Sequence, residues 1–359
     1  MNKEKKRLVS AFAAISVSLF IIVGVIYFLS TVSSTFADYI NATLSQDFRR
    51  AMASVGGLFS FSLFQAIVIA LPLILFIIVY LAIKAFTHGN IVRYIINVCA
   101  VFLLVYSGHL LALGVGYHTT DISDKMQLED SKVDEESLVQ VLEILIDDIN
   151  ALAADMPRNG QGIFDPDCTN AEISERICES FNQFSEKYSV CGSFDSSFKT
   201  VGVANFMSYL GLTGIYTYYT GEANVNEDYP AYVRIFTAAH EMAHQRGVLR
   251  ENEANFVAYI VTSSSSDPYL QYSGALDMYG YFASALYKTN KERYYSVAEN
   301  LSDYAWADVA ASNAVSRKYG DTFISQISDM INNLYLKSNG TEGVITYSKV
   351  VQLVISYYK

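Results

Sequence analysis

Basic residues are scarce in this 359-residue sequence: 25 Lys and Arg against 36 Asp and Glu give a net charge of −11 and a pI near 4.9. Phosphate recognition needs clustered Lys and Arg, so a nucleic-acid partner is not expected; acidity of this kind mainly serves solubility. The four cysteines, Cys99, Cys168, Cys178 and Cys191, contain no C-x-x-C pair, which argues against a structural zinc knuckle. Cys99 lies in an apolar stretch. The other three cluster in the more polar part, where an oxidising compartment would allow one disulfide and leave an odd thiol. Charge is missing altogether from Leu8 until Asp38, and there is no internal repeat or low-complexity tract.

Apolar residues, by contrast, are in excess: 52% hydrophobic against 17% charged is too apolar for an ordinary soluble protein. The excess lies before about Tyr117, in three stretches long enough to cross a bilayer, about 8–29, 59–83 and 95–115. The first is longer than the apolar core of a signal peptide and reads as a retained span. The second, with AIVIALPLILFIIVYLAI, is apolar on all faces, and Pro72 is expected to bend it. The chain thus divides into a membrane domain, 1–117, and a domain of ordinary globular polarity, 118–359. Lys3, Lys5, Lys6 and Arg7 before the first span, and Lys84 and Arg93 between the second and third, belong on the cytoplasmic side. Arg49 and Arg50 weaken that count. The acidic stretch after the third span (Asp121, Asp124, Glu129, Asp130, Asp134, Glu135, Glu136) agrees with it. The amino terminus is therefore expected in the cytoplasm and the carboxy-terminal domain outside. His109, inside the third span, is a functional candidate or a plain interhelical contact; His88 and His118 flank spans and read as interfacial.

In the second domain, Leu138, Val141, Leu142, Leu145, Ile149 and Leu152 recur at helical spacing and predict an amphipathic helix over about Asp134 to Ala153. Pro157 to Asp167 reads as a loop. Thr169 and Glu172 have capping-box spacing ahead of a helix whose stripe is Ile173, Ile177, Phe181, Phe184 and Tyr188. Cys178 adjoins that stripe, so a buried free thiol and a bridge are both open. Ile215 to Thr220, IYTYYT, and Ala223 to Asn226 read as one or two short strands around Gly221. Asp228, Tyr229 and Pro230 supply helix-start chemistry, and Gly247 a helix end. A helix is predicted from Glu251 to about Ser263, then SSSSDP, ending at Asp267 and Pro268, as a turn, then helices from about Tyr272 to Tyr287 and across Glu292 to Leu336, where Ala305, Val309, Phe323, Ile327 and Ile331 are core candidates. Val344 to Tyr347 and Val350 to Tyr357 carry no decisive pattern.

The helix that Gly247 closes contains H-E-x-x-H, with two of the five histidines in the chain. His240 and His244 are four apart and share one helical face. Two neutral imidazoles in that arrangement bind one Zn²⁺, and Glu241 is placed as general base. The same five residues also arise on packed helices with incidental histidines. The helical context, the terminating glycine and a carboxylate-rich second helix favour the metal. A hydrolytic zinc site needs a third protein ligand. Arg250, six residues beyond His244, cannot ligate, which leaves Glu251 or Glu253. Glu251 and Asn255 lie four apart on one face, so Glu251 is preferred as ligand, with Asn255 bonding a ligand histidine or the backbone that holds it. Glu253 is then an orienting group or ion-pair partner of Arg246 or Arg250. Tyr272, in the turn following that second helix, with Arg246 behind it, is a candidate donor to oxyanion charge. The edge of Ile215 to Thr220 could pair with an extended peptide.

The run MSYLGLTGIYTYYTGEANVNEDYP, then HEMAHQRGVLRENEANFVAYI and DPYLQYSGAL, over about Asn205 to Leu276, resembles a family of bacterial membrane proteins, domain of unknown function 3810. The resemblance implies three membrane helices followed by a mainly α, α+β zincin-like metallopeptidase domain. It also implies a zinc site on His240, His244 and one of the two glutamates, with Glu241 as base. The E-x-x-A-N string from Glu251 to Asn255 is similar to the E-x-x-A-D helix of several integral-membrane metallopeptidases, where the first glutamate ligates; here an amide stands in place of the aspartate. The expected function is a membrane-anchored zinc-dependent hydrolase that cleaves peptides or envelope proteins. The alternatives are a non-catalytic envelope interaction module with structural zinc, and hydrolysis of a cell-wall amide.

Overall fold

Charge-poor stretches become the longest apolar helices of the chain. The computed structural model describes residues 3–320 and 347–359 and, between them, Ser325, Gln326, Ser328, Met330 and Asn333. Phe323, Ile327, Ile331 and Val344, named above, lie outside the described residues. The chain divides into two units, one of Met1–Thr119 with Thr217–Gly221, the other of Thr120–Tyr216 with Glu222–Lys359.

In the first unit, α1 (Lys3–Val32), α4 (Leu63–Thr87) and α5 (Ile91–Ala112) are each long and apolar enough to cross a membrane. Their side chains are outward-facing to a degree that water would penalise, with Phe28, Ile69, Phe76 and Phe102 all more than half exposed. Ser62 caps α4 by accepting from Gln65 N, and α4 runs through Pro72 without interruption. The link between the first two spans is folded: Ser33 caps α2 (Ser34–Ala42), and the amphipathic α3 (Leu44–Gly57) follows. Val23 of α1, Ala37 and Ile40 of α2, and Leu110 and Leu111 of α5 form the unit's small core. Arg49 of α3 is fully buried there and donates to the carbonyls of Ala112 (3.0 Å) and Asn41 (2.9 Å), the ends of α5 and α2. A cation at two helix C-termini neutralises their partial negative charge. The turn Thr217–Gly221 belongs to this unit. Gly221 has φ +69°, and a Cβ on it would stand 2.1 Å from the carbonyl carbon of Met52, so only glycine fits.

The second unit is mainly helical around one core. Short helix α6 (Ile122–Lys125) leads to α7 (Glu135–Ala153), which Asp134 starts with a capping box to Ser137. The Thr169–Glu172 box starts α8 (Asn170–Tyr188). The stripes foreseen on these two helices are buried, apart from Leu152 and Tyr188 at the margin. Three short strands, β1 (Phe198–Val201), β2 (Gly214–Thr217) and β3 (Glu222–Asn226), form a sheet in the order β1-β3-β2. β1 runs parallel to β3, with Phe198 opposite Ala223.

After another short helix, α9 (Phe206–Tyr209), had separated β1 from β2, the chain continues beyond β3 into α10 (Ala231–Gln245), α11 (Glu251–Ser263) and α12 (Pro268–Thr289), which pack on one another. Ala238, Ala239, Met242 and Ala243 of α10 are fully buried, and the three alanines let its neighbours approach closely. Gly274 of α12 does the same against α11, where a Cβ would lie 2.1 Å from Thr262 Oγ1. The start of α12 differs from expectation. Asp267 accepts from the N–H groups of Tyr269 and Leu270, and Pro268 fills the first helical position, so the helix opens four residues before Tyr272. The predicted helix from Glu292 is broken into α13 (Lys291–Ala298) and α14 (Asp303–Tyr319), because Asn290 and Ser302 each cap a new start. Ala305 is buried and Val309 half-buried. A final helix covers Tyr347–Tyr358.

Candidate metal centre

Helix α10 carries His240 and His244 one turn apart, and its end is what turns the chain back towards them. Arg246 ends α10 and Gly247 follows at φ +97°; Gly247 N bonds His244 O (3.0 Å) and Val248 N bonds Ala243 O (3.0 Å). This is the paired bonding of a Schellman ending, which needs a left-handed residue after the cap. Val248, now folded under the helix, presents its carbonyl 2.7 Å from His244 Nδ1. A carbonyl can only accept, so in the neutral ring Nδ1 carries the proton and Nε2 keeps the lone pair that a metal would take.

Arg250 then precedes α11, whose first residue is Glu251. Its carboxylate lies 3.3 Å from His240 Nε2 and 3.6 Å from His244 Nε2, and all three ligand atoms fall within 4.8 Å of one another. Metal bonds of about 2.0–2.1 Å at tetrahedral angles put neighbouring ligand atoms roughly 3.3 Å apart. Two nitrogens and one carboxylate oxygen at these separations therefore fit a zinc ion in donor type and in spacing. Glu251 keeps 32% of its side-chain surface, so the group opens to solvent on that side.

Without metal, charge in the cluster is shared. Burial opposes a proton on His244, but the Glu251 carboxylate outweighs it and holds the imidazole pKa up to about 9. Burial likewise works against ionised Glu251, and both histidines outweigh it, keeping this carboxyl well below its ordinary value.

Glu241 is 5% exposed. Burial pushes its carboxyl above the ordinary range, against the pull of His240 and His244. It accepts from the backbone N–H of Tyr216 in β2. Gly214, two residues earlier on the same face of β2, leaves room for it. Neither contact was foreseen; the signal was the lone glycine heading a β-branched and aromatic run.

The remaining residues named from the sequence are placed as follows. Glu253 Oε1 accepts from Arg250 Nη1 (2.8 Å) and from Ile122 N (3.0 Å), away from the histidines. Arg250 also pairs with Asp121 at 2.8 Å. Asn255 is half-buried and its side chain forms no hydrogen bond among the described residues, while His240 Nδ1 is buried without a partner among them. Tyr272 is not in a turn beside the cluster. It lies inside α12, fully buried, and donates to Asp308 Oδ2 at 2.5 Å, where Arg158 also binds and Phe164 N donates. Its hydroxyl serves a buried structural network. Arg246 is not behind an oxyanion site either: its guanidinium is stacked by Phe181 and Phe194 and donates to the carbonyl of Phe194. Cys168, Cys178 and Cys191 are free thiols, so of the two readings left open for Cys178 the structure shows the buried free thiol and not the bridge. Cys178 lies 3.2 Å from Ser196 O and 3.3 Å from Arg246 Nη2. His109 in the first unit stacks on Tyr106 and meets Tyr218 edge-on.

A mainly helical chain with three membrane-length apolar helices and a two-histidine, one-carboxylate cluster is thus the class in hand. The chain belongs to the family described as "Protein of unknown function (DUF3810)", whose model matches residues 39–355. No curated protein and no solved structure matches it.

Proposed function

We propose that this protein is a membrane-anchored zinc-dependent hydrolase, a metallopeptidase with a zincin-like domain acting in the cell envelope. The observation that carries this reading is the meeting of His240 Nε2, His244 Nε2 and Glu251 at zinc-ligand spacing, with Glu241 next to them in sequence and held by β2. Zinc held there supplies Lewis acidity, polarising a carbonyl and lowering the pKa of water. Glu241 takes a proton from the attacking water and passes it to the leaving amine; burial, which raises its carboxyl pKa, suits a group that must accept that proton. β2 is an edge strand, so its outer side offers backbone hydrogen bonds to an extended chain, favouring a peptide over a small amide. Arg49 is consumed in capping two helix ends, which removes it from the loop charge count and leaves the basic groups favouring a cytoplasmic amino terminus.

The test is replacement of the base. Glu241→Gln is expected to keep about one zinc per chain and to lose cleavage of a peptide library, whereas undiminished cleavage would overturn the reading. Burial of Glu241 favours one other reading, a non-catalytic module whose zinc pins α10 to α11. In that case Glu241→Gln leaves the cellular phenotype intact and His244→Ala destroys it.

A further inference from the structure

Helix α11 begins without a side-chain cap. Arg250 stands at its N-cap and makes no side-chain capping bond, although the first N–H groups of a helix have no partner within it. Apolar anchoring is missing from this turn as well. Between buried Leu249 and buried Ala254 the chain runs Arg250, Glu251, Asn252, Glu253, so the turn that brings the Glu251 carboxylate to the two histidines has no apolar side chain of its own. Fraying there would withdraw the third ligand while the rest of the unit stayed folded.

What holds the turn is a polar clamp. Glu253 is the third residue of α11, and its Oε1 accepts from Arg250 Nη1 at 2.8 Å and from Ile122 N, 131 positions earlier, at 3.0 Å. Ile122 is a fixed post, because its side chain is 2% exposed and belongs to the core. Arg250 Nη1 also meets Asp121 at 2.8 Å. Asp121 keeps 66% of its side-chain surface, so that outer pair contributes little by itself. The bond to Ile122 N is buried, and removing its acceptor leaves a buried donor unpaired.

We infer that Glu253 is a positioning residue for the metal: by tying the first turn of α11 to Ile122, with Arg250 and Asp121 completing the clamp, it sets where Glu251 meets His240 and His244. The inference rests on the reading of those three residues as a metal centre. Glu253 does not reach the metal; it acts through Glu251.

The test is a double-mutant cycle on zinc affinity, read by chelator competition on the full-length protein in detergent: wild type, Glu253→Ala, Glu251→Ala and the two together. Glu253→Ala should weaken zinc binding roughly tenfold, the scale for losing a group that orients a ligand, and Glu251→Ala should weaken it further. The double variant should bind no more weakly than Glu251→Ala, because without the third ligand the clamp has nothing to position. Glu253→Gln keeps an oxygen for both donors and should weaken binding only about threefold. Tyr272→Phe, which loses a buried hydrogen bond elsewhere in the unit, should bind zinc as the wild type does. Additive losses in the cycle, wild-type affinity in Glu253→Ala, or an equal loss in Tyr272→Phe overturns the proposal and leaves the metal centre standing. A wild type that takes up no zinc overturns both. Should Glu253→Ala fail to fold, Glu253→Gln takes its place in the cycle.

Discussion

Gly214 and Glu241 stand closer than any side chain at position 214 would allow: a Cβ there would lie 2.6 Å from Glu241 Oε1 and 2.8 Å from its Cγ. Strand β2 therefore sets the position of this carboxylate twice, by leaving space at Gly214 and by donating from Tyr216 N. Gly214→Ala is expected to push the carboxylate aside while α10 and α11 stay folded. Hydrolysis should fall at least tenfold and stability by about 1–3 kcal/mol, the usual range for overpacking, with zinc content unchanged. Peptide cleavage, denaturant unfolding and metal analysis on one preparation check this; wild-type activity at wild-type stability would count against it.

The turn that ends α10 should matter to the metal as well as to the helix. Gly247 adopts φ +97°, and an L side chain there costs about 1–2 kcal/mol. Distorting the turn moves Val248 O, the acceptor that orients His244. Gly247→Ala is predicted to lower zinc affinity roughly 10–100-fold, the scale for losing a group that orients a ligand. Competition with a chromophoric chelator measures it, and unchanged affinity would show that Val248 does not hold the ring.

The metal-free cluster has a pH signature. His244 has a folded pKa of about 9, above its ordinary 6.5, so its contribution to stability is complete below about pH 6.5 and is lost as pH rises through 9. Glu251 is depressed, so its contribution is present above the ordinary carboxylate range and lost as pH falls below it. Chelator-treated protein should therefore melt lower at pH 9 than at pH 6, by on the order of 5 °C, and His244→Ala should flatten that slope. A melt with the same slope in wild type and variant would remove His244 as its source.

Tyr272 separates structure from chemistry. Tyr272→Phe leaves Asp308, fully buried, with one donor fewer and is expected to cost about 1–2 kcal/mol. Zinc content and catalytic rate should be unaffected. A selective loss of rate at full stability would return this hydroxyl to the reacting centre.

Much of the site was legible because its determinants are local. The four-residue spacing of His240 and His244, the Gly247 ending and the start of α11 at Glu251 are all contained in twelve consecutive residues. Tyr272 was misplaced because Asp267 and Pro268 were read as a turn and not as the cap and first residue of α12, and because its partner Asp308 is 36 residues away. β1 escaped notice since Phe198–Val201 is a strand only through pairing with β3, 25 residues on. Arg49 read as a loop cation because nothing nearby in sequence announces the carbonyl of Ala112, 63 residues on, that buries it.

Metal content of the purified wild-type protein, set beside His240→Ala and Glu241→Gln, tests the central claim most directly. The account predicts about one zinc per chain in the wild type and in Glu241→Gln, and its loss from His240→Ala. A wild-type protein that takes up no zinc, or a His240→Ala variant that keeps it, would contradict the assignment of His240, His244 and Glu251 as a metal centre.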